Sequence, residues 1–460
     1  MTRKASQNDM RPFDVIEHVF KCVFPILLLL TDKPSPQMPP GEAPDYFDMH
    51  YQFSAPYLLI PPKNSILKTI FWVVAVPHFF LTCMTTFLEY TKLFVGGSGN
   101  FSADILNFGI STLHLMAVSR VSRWFFVKSH YDKVLKQVRE IHTELYYFDY
   151  DHVDDSSSKP IKKYVEGQTL DTRRHCLKIS VAFITFVWIN IIISYVTNYF
   201  TFPEVERWNP HKNKTSTYRD YPYPLYYPFD ISISDGYYWL GFFYQPYAFL
   251  FLMCAFLCID CLTVNTIIHL TSFINILNFA ISCVDRNLNK SLSFEGSLKI
   301  TEKRILKCIK MSEKIYKCCK MLNDVCSSQL FFQQICLSTV MCCSVYRVTS
   351  RPSSSEMIYL SSIVFSVALE MFNVAWQNQN FTLKAFELLS NIYELNWLSY
   401  SVKLRRVLLC FMMRIQKPFH FTMGLGFPLE IGVFLTMVKS SYSFYALITQ
   451  SGNHLSYDQN

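Results

Sequence analysis

The sequence predicts an all-α membrane protein of seven transmembrane helices, N-terminus cytoplasmic and C-terminus extracellular, with a helical anchor region on the cytoplasmic side. Three observations predict it. Half of the 460 residues are hydrophobic and 16% are aromatic, while only 17% are charged and the mean hydropathy is +0.16. Soluble domains rarely combine so much Phe and Tyr with so little charge. Seven apolar stretches approach or exceed the roughly 20 residues that a hydrocarbon core of about 30 Å requires. The basic residues fall almost wholly on alternate connections between those stretches.

Taken in order, residues 1–65 form a cytoplasmic N-terminal segment. Within it Phe13 to Leu30 reads as an interfacial or re-entrant helix, because the apolar run Ile26 to Leu30 is short and lies behind Pro25. The Pro-rich stretch 31–64 reads as an irregular linker. A span domain, 66–450, follows. Its uncharged stretches are Thr69 to Leu88, a short one between Asp104 and Arg120 that begins near Phe101, Ile179 to Pro203, Gly236 to Ile259, and Val325 to Tyr346. The sixth lies between Glu356 and Lys384 and is interrupted by Glu370. The seventh is Phe427 to Gln450, leaving 451–460 as a short extracellular tail.

Orientation follows from Lys and Arg, which concentrate in cytoplasmic loops. The segments 1–65, 120–176, 261–328 and 377–426 together hold 33; the opposite side holds six. This bias accounts for the net charge of +8, and no basic-aromatic module points to nucleic acid. Two glycosylation sequons, Asn100-Phe101-Ser102 and Asn213-Lys214-Thr215, fall in outer loops; those at Asn289 and Asn380 fall inside and are expected to be silent. The N-in orientation is opposite to that of G-protein-coupled receptors, and no DRY or NPxxY motif stands at a helix end.

Lys residues alternate with Ile305, Ile309, Ile315 and Met321 at helical spacing, so the fifth span is expected to extend into the cytosol as one helix over about 295–330. Residues 381–426 are expected to contain a second amphipathic helix, Phe381 to Ile415, before a break at Lys417-Pro418 and Gly424 to Pro428. Apolar faces in the cytosol need partners, and none is visible within the chain, which predicts subunit packing there. The fifteen cysteines are not in paired CxxC spacing, even at Cys308, Cys318, Cys319 and Cys326, and read as small hydrophobes. No phosphate loop, HExxH or Ser-His-Asp arrangement is present, so neither enzyme chemistry nor a cofactor is implied.

The seventh span carries Glu430, Lys439, Ser440, Ser441 and Ser443. Such groups at membrane depth cost several kcal/mol unless they face water or a partner. Lys439, Ser443 and Gln450 share a stripe, four and eleven residues turning the helix only about 40° and 20° from Lys439. That stripe reads as a pore or pocket lining. In the outer halves of spans two, three, four and six stand Phe108, Thr112, Trp188, Ile192, Tyr195, Tyr238, Phe242 and Tyr359. Aromatics with a few hydroxyls suit a small, mostly apolar molecule. His114 reads as a packed or hydrogen-bonded histidine.

These features together resemble the insect odorant receptors. Tyr221 to Asp230, YPYPLYYPFD, is similar to the aromatic PFD segment before their fourth span. The chain end is similar to the TYhhhhhQF signature of the insect chemoreceptor superfamily. Ser443-Phe444 stand for TY, Tyr445 to Thr449 for the apolar positions, Gln450 for Gln and Ser451 for Phe. The resemblance implies a tetrameric ligand-gated cation channel in which each last helix lines one central pore, with Leu447, Gln450 and Ser451 at the gate. It also implies a pocket for a small volatile odorant on spans two, three, four and six. Most members pair with a shared co-receptor, which has a longer second cytoplasmic connection and a YFMVLVQ-type ending. This chain departs from both and resembles a ligand-tuning subunit, placed by that resemblance in the plasma membrane of a sensory dendrite. A gustatory-type homotetramer would carry a closer TYhhhhhQF ending, and a transporter would show inverted repeats and discontinuous helices.

Overall fold

The computed structural model describes residues 59, 65–95, 101–148, 155–201, 204–209, 214–219, 223, 225–227, 235–285, 294–349, 354–424 and 426–457. Among the described residues, eight α-helices carry the fold: α1 Ser65–Val95, α2 Phe101–Tyr146, α3 Asp155–Thr201, α4 Asp235–Ser282, α5 Phe294–Thr349, α6 Ser354–Tyr393, α7 Val402–Ile415 and α8 Ile431–Tyr457. Among the described residues, six helices, α1 to α6, are long and apolar enough to cross a membrane. Two short hairpins, absent from the all-α expectation, join them: β1 Glu204–Asn209 with β2 Lys214–Arg219, and β3 Thr422–Met423 with β4 Phe427–Pro428. The interfacial helix expected over Phe13 to Leu30, and the sequon residues Asn100 and Asn213, lie outside the described residues.

Helix α4 is buried over most of its length and packs against α1, α2, α3, α5 and α6. The closest-packed long pair is α2 with α5. Gly109 permits the approach: a Cβ there would lie 2.8 Å from Cys343 Cβ.

Three charged residues that bounded or interrupted spans in the sequence meet in one buried cluster. Arg120 of α2 donates from Nη2 to Asp260 Oδ1 of α4 at 3.4 Å and to Thr263 Oγ1 at 3.0 Å. Gln333 of α5 donates from Nε2 to Asp260 Oδ1 at 3.2 Å and to Glu370 Oε1 of α6 at 2.8 Å. All four side chains are buried. Helix α2 therefore does not end at Arg120, and α6 is not broken at Glu370. Both helices run straight through, because polar groups at that depth are tolerated when they satisfy one another.

The half of the bundle expected to be cytoplasmic also departs from expectation. The fifth span does extend as one helix of 56 residues. Its apolar face, however, is covered within the chain: Ile305, Cys308, Ile315, Cys319 and Leu322 are buried in one core with Tyr131, Val134, Val138 and Ile141 of α2. Lys314 and Glu144 close the rim at 2.5 Å. Residues 381–415 are two helices rather than one. Helix α6 ends at Tyr393, a single 3₁₀ turn spans Trp397–Ser399, and Ser401 caps α7 by accepting from the Leu404 N–H at 3.2 Å. The break is held by Tyr400, whose hydroxyl donates to Asp285 beyond the end of α4 at 2.6 Å and 2.8 Å. Burial, and after it the facing Asp285 carboxylate, push that hydroxyl's pKa up. Helix α7 buries Leu404, Leu408, Phe411 and Ile415 and leaves Val402, Leu409 and Met413 exposed.

Replacing Arg120 with Met would leave Asp260 and Glu370 without a counter-charge. Breaking a buried pair from one side costs about 3–5 kcal/mol. The expected outcome is a marked fall in the thermal midpoint of the detergent-solubilised protein. The isosteric Glu370→Gln, which keeps the Arg120–Asp260 pair, is expected to fall by much less.

Candidate ligand chamber and pore helix

The C-terminal end of α3 and the N-terminal ends of α4 and α6 bring together an aromatic and hydroxyl-rich cluster, with the segment before α4 packed against it. Tyr223 and Leu225 of that segment are buried, and the Tyr226 N–H donates to the Leu88 carbonyl of α1 at 3.2 Å. Gln245 of α4, fully buried, fastens the segment. Its Nε2 donates to the Tyr223 carbonyl at 2.9 Å and to Tyr227 Oη at 3.2 Å, while its Oε1 accepts from the Tyr223 N–H at 3.3 Å and the Tyr195 hydroxyl at 3.4 Å. One side-chain amide thus satisfies a peptide group that would otherwise be buried without a partner. Tyr223 Oη lies 2.9 Å from Ser194 Oγ of α3 and hydrogen-bonds Tyr359 of α6.

Of the pocket residues expected from sequence, Tyr195, Tyr238, Phe242 and Tyr359 come together here. Tyr195 stands edge-on to Tyr223 and Phe242 at 5.9 Å each, and Tyr238 stacks with Phe242 at 6.2 Å. Thr112 is buried, donates to the Phe108 carbonyl at 2.7 Å and lies 3.3 Å from Tyr90 Oη. Trp188 is half-buried. Phe108 and Ile192 are not brought into the cluster: they are 46% and 55% exposed, on the outward faces of α2 and α3. Sequence reasoning missed Tyr223, Ser194 and Gln245. A lone Gln inside an apolar span was the signal for the last, since an amide at that depth needs partners.

His114 is hydrogen-bonded, with Nδ1 2.9 Å from both oxygens of Glu89, and its ring stacks on Phe249 at 4.2 Å and 4°. Glu89 on α1 ended the first uncharged stretch in the sequence, yet α1 continues past it to Val95. A narrow cleft beside the pair is lined by Glu89, Leu93, Asn107, Ile110, Ser111 and Tyr223.

Helix α8 begins at Ile431, four residues later than the seventh span was expected to start, because Phe427–Pro428 pair with Thr422–Met423. It runs to Tyr457, seven residues past the expected end at Gln450, so part of the expected tail is helical. Its entry is pinned from two sides. Asn323 of α5 accepts from the Thr422 N–H at 2.8 Å and donates to Thr422 Oγ1 at 3.0 Å; Gly424 N–H donates to the Ser327 carbonyl at 3.0 Å. Gln379 of α6 accepts from the Ile431 N–H at 3.2 Å, satisfying one orphan donor of the helix N-terminus. Glu430 pairs with His420 at 3.1 Å just before the helix. Gly424 has φ +56°, and a Cβ there would meet the Phe331 ring at 2.8 Å.

Helix α8 lays one face on α5 and α6, with Ser441 buried and its carbonyl accepting from Cys342 Sγ at 3.8 Å. Thr436, Lys439, Ser440 and Ser443 lie on the uncovered face. Leu447, Gln450 and Ser451 fall within the helix, but their side chains are not among those described.

The model of the 7tm odorant receptor family matches residues 134–442. The chain belongs to the insect odorant receptor family. The receptor is 24% identical over 234 residues to putative odorant receptor 92a of Drosophila melanogaster, covering 50% of this chain and 54% of that protein. It is 22% identical over 237 residues to odorant receptor 67c of the same species, covering 51% and 57%. The matched region thus spans little more than half the length of these relatives. The fold is similar to that of the olfactory receptor OR5 from Machilis hrabei, with a TM-score of 0.62 at 13% identity over 89% of this chain and 100% of that one. In complex with eugenol the same protein matches with a TM-score of 0.65 at 13% identity, over 88% and 100%. With its apolar helices and its family, the receptor is a multi-pass membrane protein.

Replacing Gln245 with Leu would strand the Tyr223 peptide N–H and C=O in an apolar setting, at about 1–3 kcal/mol for each unsatisfied group. The expected outcome is a lower thermal midpoint together with faster proteolysis around Tyr223 to Tyr227 in the detergent-solubilised protein.

Proposed function

We propose that the receptor is the odorant-binding, ligand-tuning subunit of a heteromeric, non-selective cation channel in the plasma membrane of a sensory dendrite. A co-receptor subunit is its partner, and a small volatile, mostly apolar odorant opens the pore. One observation carries this reading beyond family membership: α8 packs by one face only and leaves Thr436, Lys439, Ser440 and Ser443 uncovered. A polar helix face at membrane depth needs water or another subunit, and a central pore shared among subunits supplies both. The unbroken course of α1 to α6 disfavours a transporter, which would use helices interrupted at mid-membrane.

In this reading α8 is the seventh span, the N-terminus is cytoplasmic and the C-terminus extracellular, as the 33 to 6 distribution of basic residues indicates. The odorant enters the chamber among Tyr195, Tyr238, Phe242 and Tyr359. Leu447 narrows the pore by dewetting, with Gln450 and Ser451 one turn beyond it. Subunits pack through the exposed apolar surface that remains in the cytosol: Tyr393, Leu398, Val402, Leu409 and Met413. The co-receptor is preferred over a second copy as partner because the chain end departs from the closer TYhhhhhQF ending of gustatory-type homotetramers. A stable, odorant-responsive homotetramer would sink that choice.

The gate and the chamber are separable by mutation. Leu447→Ala is expected to raise basal current or alter ion selectivity while ligand preference is kept. Tyr195→Ala is expected to shift ligand sensitivity and leave permeation unchanged. Both are read as odorant-evoked current in cells expressing the receptor with a co-receptor. If Leu447→Ala moves only ligand preference in well-expressed channels, the gate assignment is wrong. Terminal tags stained with and without permeabilisation check the orientation; an N-terminal tag accessible on intact cells would overturn it.

A further inference from the structure

We infer that the cleft beside Glu89 is a polar subsite for ligands that carry a hydrogen-bond donor, an alcohol or phenol O–H or an amine N–H, in preference to acceptor-only ethers and ketones. The inference rests on the odorant-gated reading above. Glu89 is 3% exposed and His114 4% exposed, so neither is hydrated freely. A carboxylate offers about four lone-pair positions, and both Glu89 oxygens share the single His114 Nδ1 donor at 2.9 Å. The remaining acceptor capacity faces the cleft that Glu89 itself lines with Ser111, Asn107 and Tyr223. Half-buried Asn107 also lines it, and Leu93 and Ile110 supply the apolar wall. Tyr223 borders this cleft and also touches Tyr195 and Tyr359 of the aromatic cluster. A guest whose donor reaches Glu89 therefore lies beside Tyr223.

Buried acceptors discriminate by what they leave unpaired. A guest with a donor satisfies Glu89, whereas an ether oxygen placed there faces another acceptor, which costs about tenfold or more in affinity. His114 cannot serve both sides, because its ring is held flat against Phe249 and its Nδ1 is committed to Glu89.

The test uses the receptor with a co-receptor and matched sets of C6–C10 n-alkanols, primary n-alkylamines, methyl alkyl ethers and methyl ketones. Half-effective concentrations for the donor-bearing compounds are expected to lie at least tenfold below those of the matched ethers. Glu89→Gln should close most of that gap while ether responses stay within about twofold. Leu93→Trp, which fills the cleft, should have the same selective effect. Equal wild-type responses to alcohols and ethers, or a Glu89→Gln change that lowers every compound alike, would overturn the subsite and leave the channel reading standing. If no compound evokes current, the channel reading fails, and thermal shift of the purified receptor decides the subsite. Alkanols that raise the wild-type midpoint but not that of Glu89→Gln support it, and no difference between the two proteins rejects it.

Discussion

Arg120 cannot remain buried alone, and the rest of the bundle is arranged around that fact. Its partner Asp260 lies 140 residues away, on the most enclosed helix, and Gln333 joins Asp260 to Glu370 on a fourth. Two carboxylates face one guanidinium, so the amide of Gln333, donating to both, is needed as well as the ion pair. Tyr131 and Cys326 extend the cluster further along α2 and α5 through Thr263, with Tyr131 Oη 2.6 Å from Thr263 Oγ1. Four long helices are thereby fixed in depth and rotation by directional bonds. Apolar contacts alone, in a solvent as apolar as the side chains, set depth and rotation poorly.

Above this level the aromatic cluster is built on the same principle with weaker groups. Gln245 uses both ends of its amide to hold an irregular segment inside the bundle, where unpaired peptide groups are costly. Non-helical backbone survives at that depth only because it is enclosed in protein. The consequence for function is a preformed, hydroxyl-lined wall: Ser194, Tyr223 and Tyr359 are positioned by one another and do not depend on a guest.

Much of this was legible in the sequence, and what was missed has one physical cause. Apolar length located α1 to α6, and lysine spacing foretold that α5 is one long helix. Aromatic content drew attention to Tyr195, Tyr238 and Phe242, whose rings pack together, and equally to Phe108, which stays exposed. Hydropathy, however, scores each residue without its partners. Glu89, Arg120 and Glu370 therefore read as ends or interruptions when they are interior polar contacts. The face of 295–330 looked unpartnered because its cover, the lower half of α2, lies far off in sequence. The break between α6 and α7 depends on a Tyr400–Asp285 bond that no local pattern shows. The late start of α8 depends on a two-residue hairpin, too short to leave a periodic signal, in which Gly424 takes a left-handed conformation.

Helix α6 connects these levels. Tyr359 reaches the aromatic cluster, Glu370 the charge cluster and Gln379 the N-terminus of α8. At about 1.5 Å per residue these points lie about 16 Å and 14 Å apart along one continuous helix. The hairpin that precedes α8 is bonded to α5 at Asn323 and Ser327, and α5 is tied to α6 through Gln333. The entry of α8 is therefore held by two helices that are themselves locked together at the charge cluster. Tyr359, Glu370 and Gln379 thus stand on one helix with no break between residues 354 and 393. The same Glu370 that made the sixth span look interrupted is what keeps this rod in register with α4 and α5.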